Sequence, residues 1–321
     1  MLKKHLSLKH KTITYLFNMK IVSAFVLILL TACTASRMDT KLTHYPAFLR
    51  EGHRGARGYL PENTIAAMKR GIDSGANVVE VDVYITRDGQ VLIAHDPYVN
   101  RTISTIPGLA DISADSAKNY TWHQMNYADI RKIDVGLKGN PAFPKQEKVA
   151  AYMPLMGELI DSVEAYTKQG IAPVIYNIEI KSNPKFDGVY QPAAAVLVKA
   201  VMDVIKTKNI GNRFYLQSFD KRQIQEVHRS YPEVVTAYLV DSKTMSVDDH
   251  IRDLGYTPEI YSPYYKLVST QTVSDCRKHK MRLVPWTVNT RSEIDSLISL
   301  GVNGIISDYP AYIPTSILAD K

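Results

Sequence analysis

The chain has 321 residues, 45% of them hydrophobic and 22% charged, with only two cysteines and a formal charge of +7. A pI near 9.1 would invite a nucleic-acid role, but five lysines and no acid fall within residues 1–32. Without that segment the charge drops from +7 to +2, so composition gives no support to a nucleic-acid partner.

In chain order, Lys20 precedes a ten-residue apolar run, Ile21 to Leu30, which is too short to span a bilayer as a stable helix. The Leu30-Thr31-Ala32-Cys33 tetrapeptide that follows resembles a bacterial lipoprotein lipobox. That resemblance implies a signal peptide over 1–32, lipid on Cys33, a polar tether over 33–47 and a folded domain over 48–321. It places the protein in the cell envelope, anchored to a membrane and facing the periplasm or the cell surface. Thr34 stands where an inner-membrane retention signal would carry aspartate, which is compatible with the outer membrane, and inner versus outer placement stays open. Cys276 is then left unpaired and reads as a small buried hydrophobe without function.

Beyond the tether, strand-like runs at 48–53, 78–85, 174–180, 214–218, 234–240, 259–262, 282–288 and 304–307 alternate with helix-like runs. The helices are expected at 63–74, 155–168, 191–207, 221–230, 247–254, 270–279 and 291–299. Eight strands with helical crossovers predict an α/β fold, a (β/α)8 TIM barrel with a parallel sheet. A ninth run, Val91 to Ala94, follows an Arg87-Asp-Gly-Gln turn and predicts a hairpin-like arm at the barrel mouth. Residues 97–153 break the rhythm and read as an insertion between that arm and the following helix. There is no internal repeat or low-complexity segment, and the oligomeric state is open.

The chemistry concentrates at the ends of the strands. His53 ends the first, Glu80 and Asp82 sit two apart on one face of the second, and Glu179 and Lys181 repeat that spacing on the next. Val79, Val81 and Val83, with Ile178 and Ile180, then face the helices. Charged groups pointing into a barrel cost several kcal/mol each unless paired or metal-bound, which argues for a site. Three carboxylates on rigid strands suit one hard divalent cation, Ca²⁺ or Mg²⁺, and without thiolates zinc is disfavoured. His53 and His95 beside them suit proton transfer in metal-assisted phosphate-ester cleavage.

From about Leu49 onward the segments Glu51-Gly-His-Arg-Gly55, Pro61-Glu-Asn-Thr64, Glu80-Val-Asp82, His95-Asp-Pro97 and Asn177-Ile-Glu-Ile-Lys181 resemble the glycerophosphodiester phosphodiesterase family, in its order. The resemblance implies Glu80, Asp82 and Glu179 as metal ligands and His53 and His95 as the acid/base pair. Arg54 and Lys181 would grip the phosphate, and Trp286, in a Trp-Thr-Val-Asn run, would wall the pocket. The insertion is expected to cap the site. Asn63 reads as the cap of the first helix, Glu62 as a neighbour of the metal site, and Asp308-Tyr-Pro310 as structural. Gly52 stands where many relatives carry alanine. The implied substrate is a small glycerophosphodiester, cleaved to sn-glycerol 3-phosphate and an alcohol by water or through a cyclic phosphate. Two other readings stay open: a phospholipase-like phosphodiesterase on intact lipids, and a lipoprotein that binds phosphorylated polyols without turnover. An apolar rim on the insertion would favour the first of these.

Overall fold

The computed structural model describes residues 41–109 and 111–316. The chain divides into two compact units, Met1–Thr43 and His44–Lys321. Of the first only residues 41–43 are described, so the expected signal peptide and the lipidated Cys33 lie outside the described residues.

The second unit runs β1 (Leu49–Gly52), α1 (Ile65–Asp73), β2 (Val78–Ile85), β3 (Val91–Ile93), α2 (Ala114–Ala117), α3 (Tyr127–Ile130), α4 (Met156–Thr167), β4 (Ile175–Ile180) and α5 (Ala194–Lys206). It continues β5 (Phe214–Ser218), α6 (Lys221–Ser230), β6 (Thr236–Val240), α7 (Val247–Leu254), β7 (Ile260–Pro263), α8 (Thr270–Lys278), β8 (Arg282–Leu283), α9 (Arg291–Leu300) and β9 (Gly304–Ser307). Eight parallel strands pair in the order β8-β7-β6-β5-β4-β2-β1-β9, and β3 returns antiparallel on β2 as the arm. This is the (β/α)8 barrel that the strand and helix periodicity predicts.

The eighth strand is shorter than the expected 282–288, and Pro285 explains it. Proline has no N–H to give a ladder. The seam beside it closes instead through single bonds, Asn303 N to Leu283 O (2.8 Å), Ile306 N to Pro285 O (3.0 Å) and Val288 N to Ile306 O (3.0 Å).

Alternation along the strands separates two environments. Val79, Val81 and Val83 of β2, with Ile178 and Ile180 of β4, pack outward on Met68, Ile72, Leu159 and Val163 of α1 and α4. Each such buried aliphatic contributes about 1.5–3 kcal/mol, so this layer stabilises the barrel. The inward residues of the same strands are polar. At the floor, Glu51 accepts from Asn177 Nδ2 (2.8 Å) and from the Tyr215 hydroxyl (2.5 Å). Above it sit Glu80 and Gln217, and above those Asp82 and Glu179, in register across β2 and β4.

The insertion carries its own apolar centre of Val99, Trp122, Ile130, Ile133, Val135 and Met153 against Tyr84, Leu92 and Ala94. It does not cap the site as expected. Of the residues lining the two clefts described below, only Pro97 belongs to it. Its ties run instead to the flanks of the mouth: Gln146 Nε2 donates to Arg57 O (2.6 Å) and Leu60 O (3.1 Å), and Trp122 Nε1 donates to Asp96 O (2.6 Å).

Candidate active site

The turn after β1 sets the geometry. Gly55 N bonds Gly52 O (3.0 Å), and Arg54 and Gly55 both take left-handed backbone, at φ 49° and 87°. A non-glycine residue there costs about 1–2 kcal/mol, which the bond from Arg54 N to Glu80 Oε2 (2.7 Å) offsets. A Cβ at Gly52 would lie 1.9 Å from Gly55 O, so a side chain does not fit this turn. His53 N continues the β1–β9 pairing to Ser307 O (2.9 Å), which brings its ring to the residue after β9.

That residue is Asp308, and its carboxylate is 2.6 Å from His53 Nδ1. Four polar groups converge on it. Arg57 donates from Nε to Oδ1 (2.7 Å) and from Nη2 to Oδ2 (3.2 Å), and Asn289 Nδ2 donates to Oδ2 (2.7 Å). Burial alone would raise the Asp308 carboxyl, but His53 and Arg57 more than offset it and hold it below the usual carboxylate range. Burial likewise pushes the His53 imidazole down, to about 4, against the pull of Asp308. The pair is therefore a neutral imidazole on an ionised carboxylate. The structural role expected for Asp308 is corrected: it fixes the ring of a site histidine. Its Asp-x-Pro context gave no hint of a partner 255 residues away, and Arg57 carried no sequence signal at all.

Glu80, Asp82 and Glu179 are all buried, and their oxygens lie within 4.8 Å of one another. Asp82 accepts from Asn63 Nδ2 (2.8 Å) and returns its backbone N–H to Asn63 Oδ1 (3.3 Å). Asn63 is thus not the cap of α1. Thr64 is, accepting from Ala67 N (3.2 Å), while Asn63 at φ 59° points into the barrel. Glu62 is one step removed and holds Arg54 through Nη1 (2.6 Å), while Arg54 Nε lies 3.3 Å from Asp82. Lys181 Nζ is 2.7 Å from Glu179 Oε1 and 3.6 Å from Asp82 Oδ1.

The electrostatics are those of crowded acids. Burial and then the charges of Asp82 and Glu179 raise Glu80 well above its ordinary value, and burial raises Glu179. Asp82 moves the other way despite burial, held down by Arg54, His95 and Lys181. Its Oδ1 is buried without a hydrogen bond. Three converging carboxylates with an orphaned oxygen fit a hard divalent cation, and these residues can hold one.

His95, at the end of the arm, places Nδ1 3.1 Å from Asp96 Oδ1, and Asn100 Nδ2 bonds the other oxygen (2.9 Å). His53, Arg54, Glu80, His95, Glu179, Lys181 and Trp286 line one cleft. The expected site residues of the domain thus come together, with Asp82 beside Glu80 and Glu179 in the triad. Trp286 gives its indole N–H to Ser262 O (2.9 Å) and packs perpendicular to Phe219 in the cleft wall.

A parallel barrel with charged groups gathered at the carboxyl ends of its strands, around a triad able to hold a cation, fits a barrel phosphodiesterase. The model of the glycerophosphoryl diester phosphodiesterase family matches residues 53–312, and the chain belongs to that family. It is a phosphodiesterase of glycerophosphodiesters. The glycerophosphodiester phosphodiesterase of Bacillus subtilis is 28% identical over 267 residues, covering 82% of this chain and 84% of its own. A Silicibacter pomeroyi crystal structure, 28% identical, superposes with a TM-score of 0.74 over 86% of this chain and 95% of its own. An Oleispira antarctica phosphodiesterase, solved with its product sn-glycerol 3-phosphate, shares the fold at a TM-score of 0.65 and 22% identity, covering 82% and 94%.

Proposed function

We propose that the protein hydrolyses small glycerophosphodiesters to sn-glycerol 3-phosphate and an alcohol, with one Ca²⁺ or Mg²⁺ on Glu80, Asp82 and Glu179. The observation that carries this reading is the flanking of the triad by two histidines whose Nδ1 atoms are each engaged by a carboxylate. Each ring keeps Nε2 for proton exchange. The neutral His53 accepts the proton of the attacking hydroxyl as its oxygen bonds phosphorus. His95 donates a proton to the alcohol oxygen as the phosphorus–oxygen bond breaks. Arg54 and Lys181 bind the phosphate oxygens, and Trp286 walls the glycerol side. The bound cation would supply Lewis-acid stabilisation of charge developing at phosphorus.

The product assignment extends to this chain what the Oleispira antarctica protein carries. A soluble substrate is supported by the insertion, which buries its apolar residues and exposes only Leu109 and Leu137 among its described large hydrophobics. We further propose a lipid-anchored protein of the cell envelope, on the Leu30 to Cys33 motif.

The test uses metal-stripped protein, resupplied with Ca²⁺ or Mg²⁺, and glycerophosphocholine, with glycerol 3-phosphate release read by a coupled dehydrogenase. Metal-restored release abolished by His53→Ala is expected. Folded protein that releases nothing with either ion overturns the reading.

A further inference from the structure

A second groove opens beside the triad and shares His95, Glu179, Lys181 and Phe219 with the first. His53, Arg57 and Trp286 line only the first groove; Tyr84, Asp96, Asn183 and Phe186 line only the second. A phosphodiester carries two arms on one phosphorus. With the phosphate at the shared residues, each arm has its own groove, and Phe219 stands between them. Its ring packs edge-on against Trp286 at 5.2 Å and lies 5.9 Å from Lys181 Nζ.

The second groove has a defined chemistry. Phe186 is backed edge-on by Tyr190 (5.1 Å), which in turn meets Tyr98 (5.7 Å). The loop that carries Phe186 is pinned from within by Gln191, fully buried, whose Nε2 donates to Ser182 Oγ (3.1 Å), Asn183 O (3.1 Å) and Asp187 Oδ1 (2.8 Å). The aromatic wall is therefore preorganised. The groove's two serine hydroxyls are already engaged. Ser182 Oγ donates to Asp220 (2.5 Å), and Ser218 Oγ donates to Ile180 O (2.8 Å) and accepts from Asp220 N (3.1 Å). A polyol arm would find neither serine hydroxyl free there.

The charges favour a cation. The Asp96 side chain keeps 34% exposure at the groove wall. Aromatic faces with a carboxylate beside them bind quaternary ammonium groups.

We propose that this second groove is the alcohol subsite, that it selects an N-methylated ammonium arm, choline, over glycerol, and that Phe186 is its specificity-determining side chain. The assignment rests on the hydrolysis reading above and names the substrate class of that same site.

The test measures kcat/KM of the metal-loaded full chain for glycerophosphocholine and for glycerophosphoglycerol, in the wild type, Phe186→Ala and Phe186→Tyr. The wild type should prefer the choline diester by about tenfold, Phe186→Ala should lose most of that ratio, and Phe186→Tyr should keep it, since the ring supplies the attraction. Equal wild-type rates on both diesters, or a Phe186→Ala loss shared equally by both, overturns the assignment while leaving the hydrolysis reading standing. Turnover of neither diester overturns both.

Discussion

Asp308→Asn should disable the enzyme without unfolding it, and the hydrogen-bond directions say why. Oδ1 accepts from both His53 Nδ1 and Arg57 Nε, and Oδ2 accepts from Arg57 Nη2 and Asn289 Nδ2. An amide replaces one of these oxygens with a donor, so two donors must face it whichever way it turns. Arg57 cannot reverse its N–H groups, whereas His53 can move its proton. With the amide nitrogen turned toward His53, the ring carries hydrogen on Nε2 and accepts at Nδ1, the tautomer that cannot take a proton at the cleft. A general base contributes about 10²–10⁴-fold to turnover, and kcat should fall within that range. KM should change little, since Asp308 lies behind the ring with 1% exposure. The lost charge-assisted bond costs about 1.5–3 kcal/mol, within the stability of a domain of this size. Steady-state kinetics on glycerophosphocholine with circular dichroism of the variant test this. A kcat within threefold of wild type in a folded variant would refute the role given to Asp308.

Two further predictions concern stability. Gly55→Ala would put a Cβ 2.5 Å from the Ala67 carbonyl carbon at φ 87°, and denaturant unfolding should show a loss of about 3 kcal/mol; a loss under about 1 kcal/mol would refute the fit described for the turn. Burial lifts the Glu51 carboxyl from 4.5 to about 7 in the folded state, so its stabilising contribution is full below pH 4.5 and is lost as pH rises through 7. His53, with its folded value depressed, contributes in the opposite sense, above pH 6.5, so the comparison must be between proteins. Relative to wild type, Glu51→Gln should gain about 3 kcal/mol between pH 4.5 and 8; parallel stability curves would show that the buried carboxyl does not titrate on folding.

The parts of the molecule legible in its sequence are those set by local periodicity. Valines alternating with Glu80 and Asp82 fix which face of β2 meets helices, and the isoleucines around Glu179 do the same for β4. The seven barrel helices fall within three residues of expectation at each end, because each has an amphipathic face. What was illegible depends on contacts made only after folding. Asp308 meets His53 across the β1–β9 pairing, which is the last to close in sequence. Asn63 has the composition of a cap, but a residue of either kind fits at the helix start, and Thr64 occupies it. The insertion's place beside the mouth rather than over it is set by Trp122, Gln146 and their distant backbone acceptors, none of which shows in a local pattern.

The placement of Lys181 and Arg54 carries a further consequence for binding. Both lean on the carboxylates that would hold a cation, Lys181 at 2.7 Å from Glu179 and Arg54 at 3.3 Å from Asp82. They offset part of the repulsion among three buried acids, and to that extent they compete with a divalent ion for the same oxygens. An ion on the triad would free their N–H groups for phosphate oxygens. Ion and phosphate should therefore bind with positive coupling, and the coupling is reciprocal. Glycerol 3-phosphate should bind at least about tenfold more tightly with saturating Mg²⁺ or Ca²⁺ than without, a coupling of about 1.4 kcal/mol. Lys181→Met separates this account from a merely structural lysine. Removing the competing ammonium should leave ion affinity unchanged or raise it, while glycerol 3-phosphate binds more weakly. Isothermal titration calorimetry reads both. Loss of both affinities together would mean that Lys181 holds the triad in shape, and ion-independent phosphate binding would mean that its ammonium is already free for phosphate without the ion.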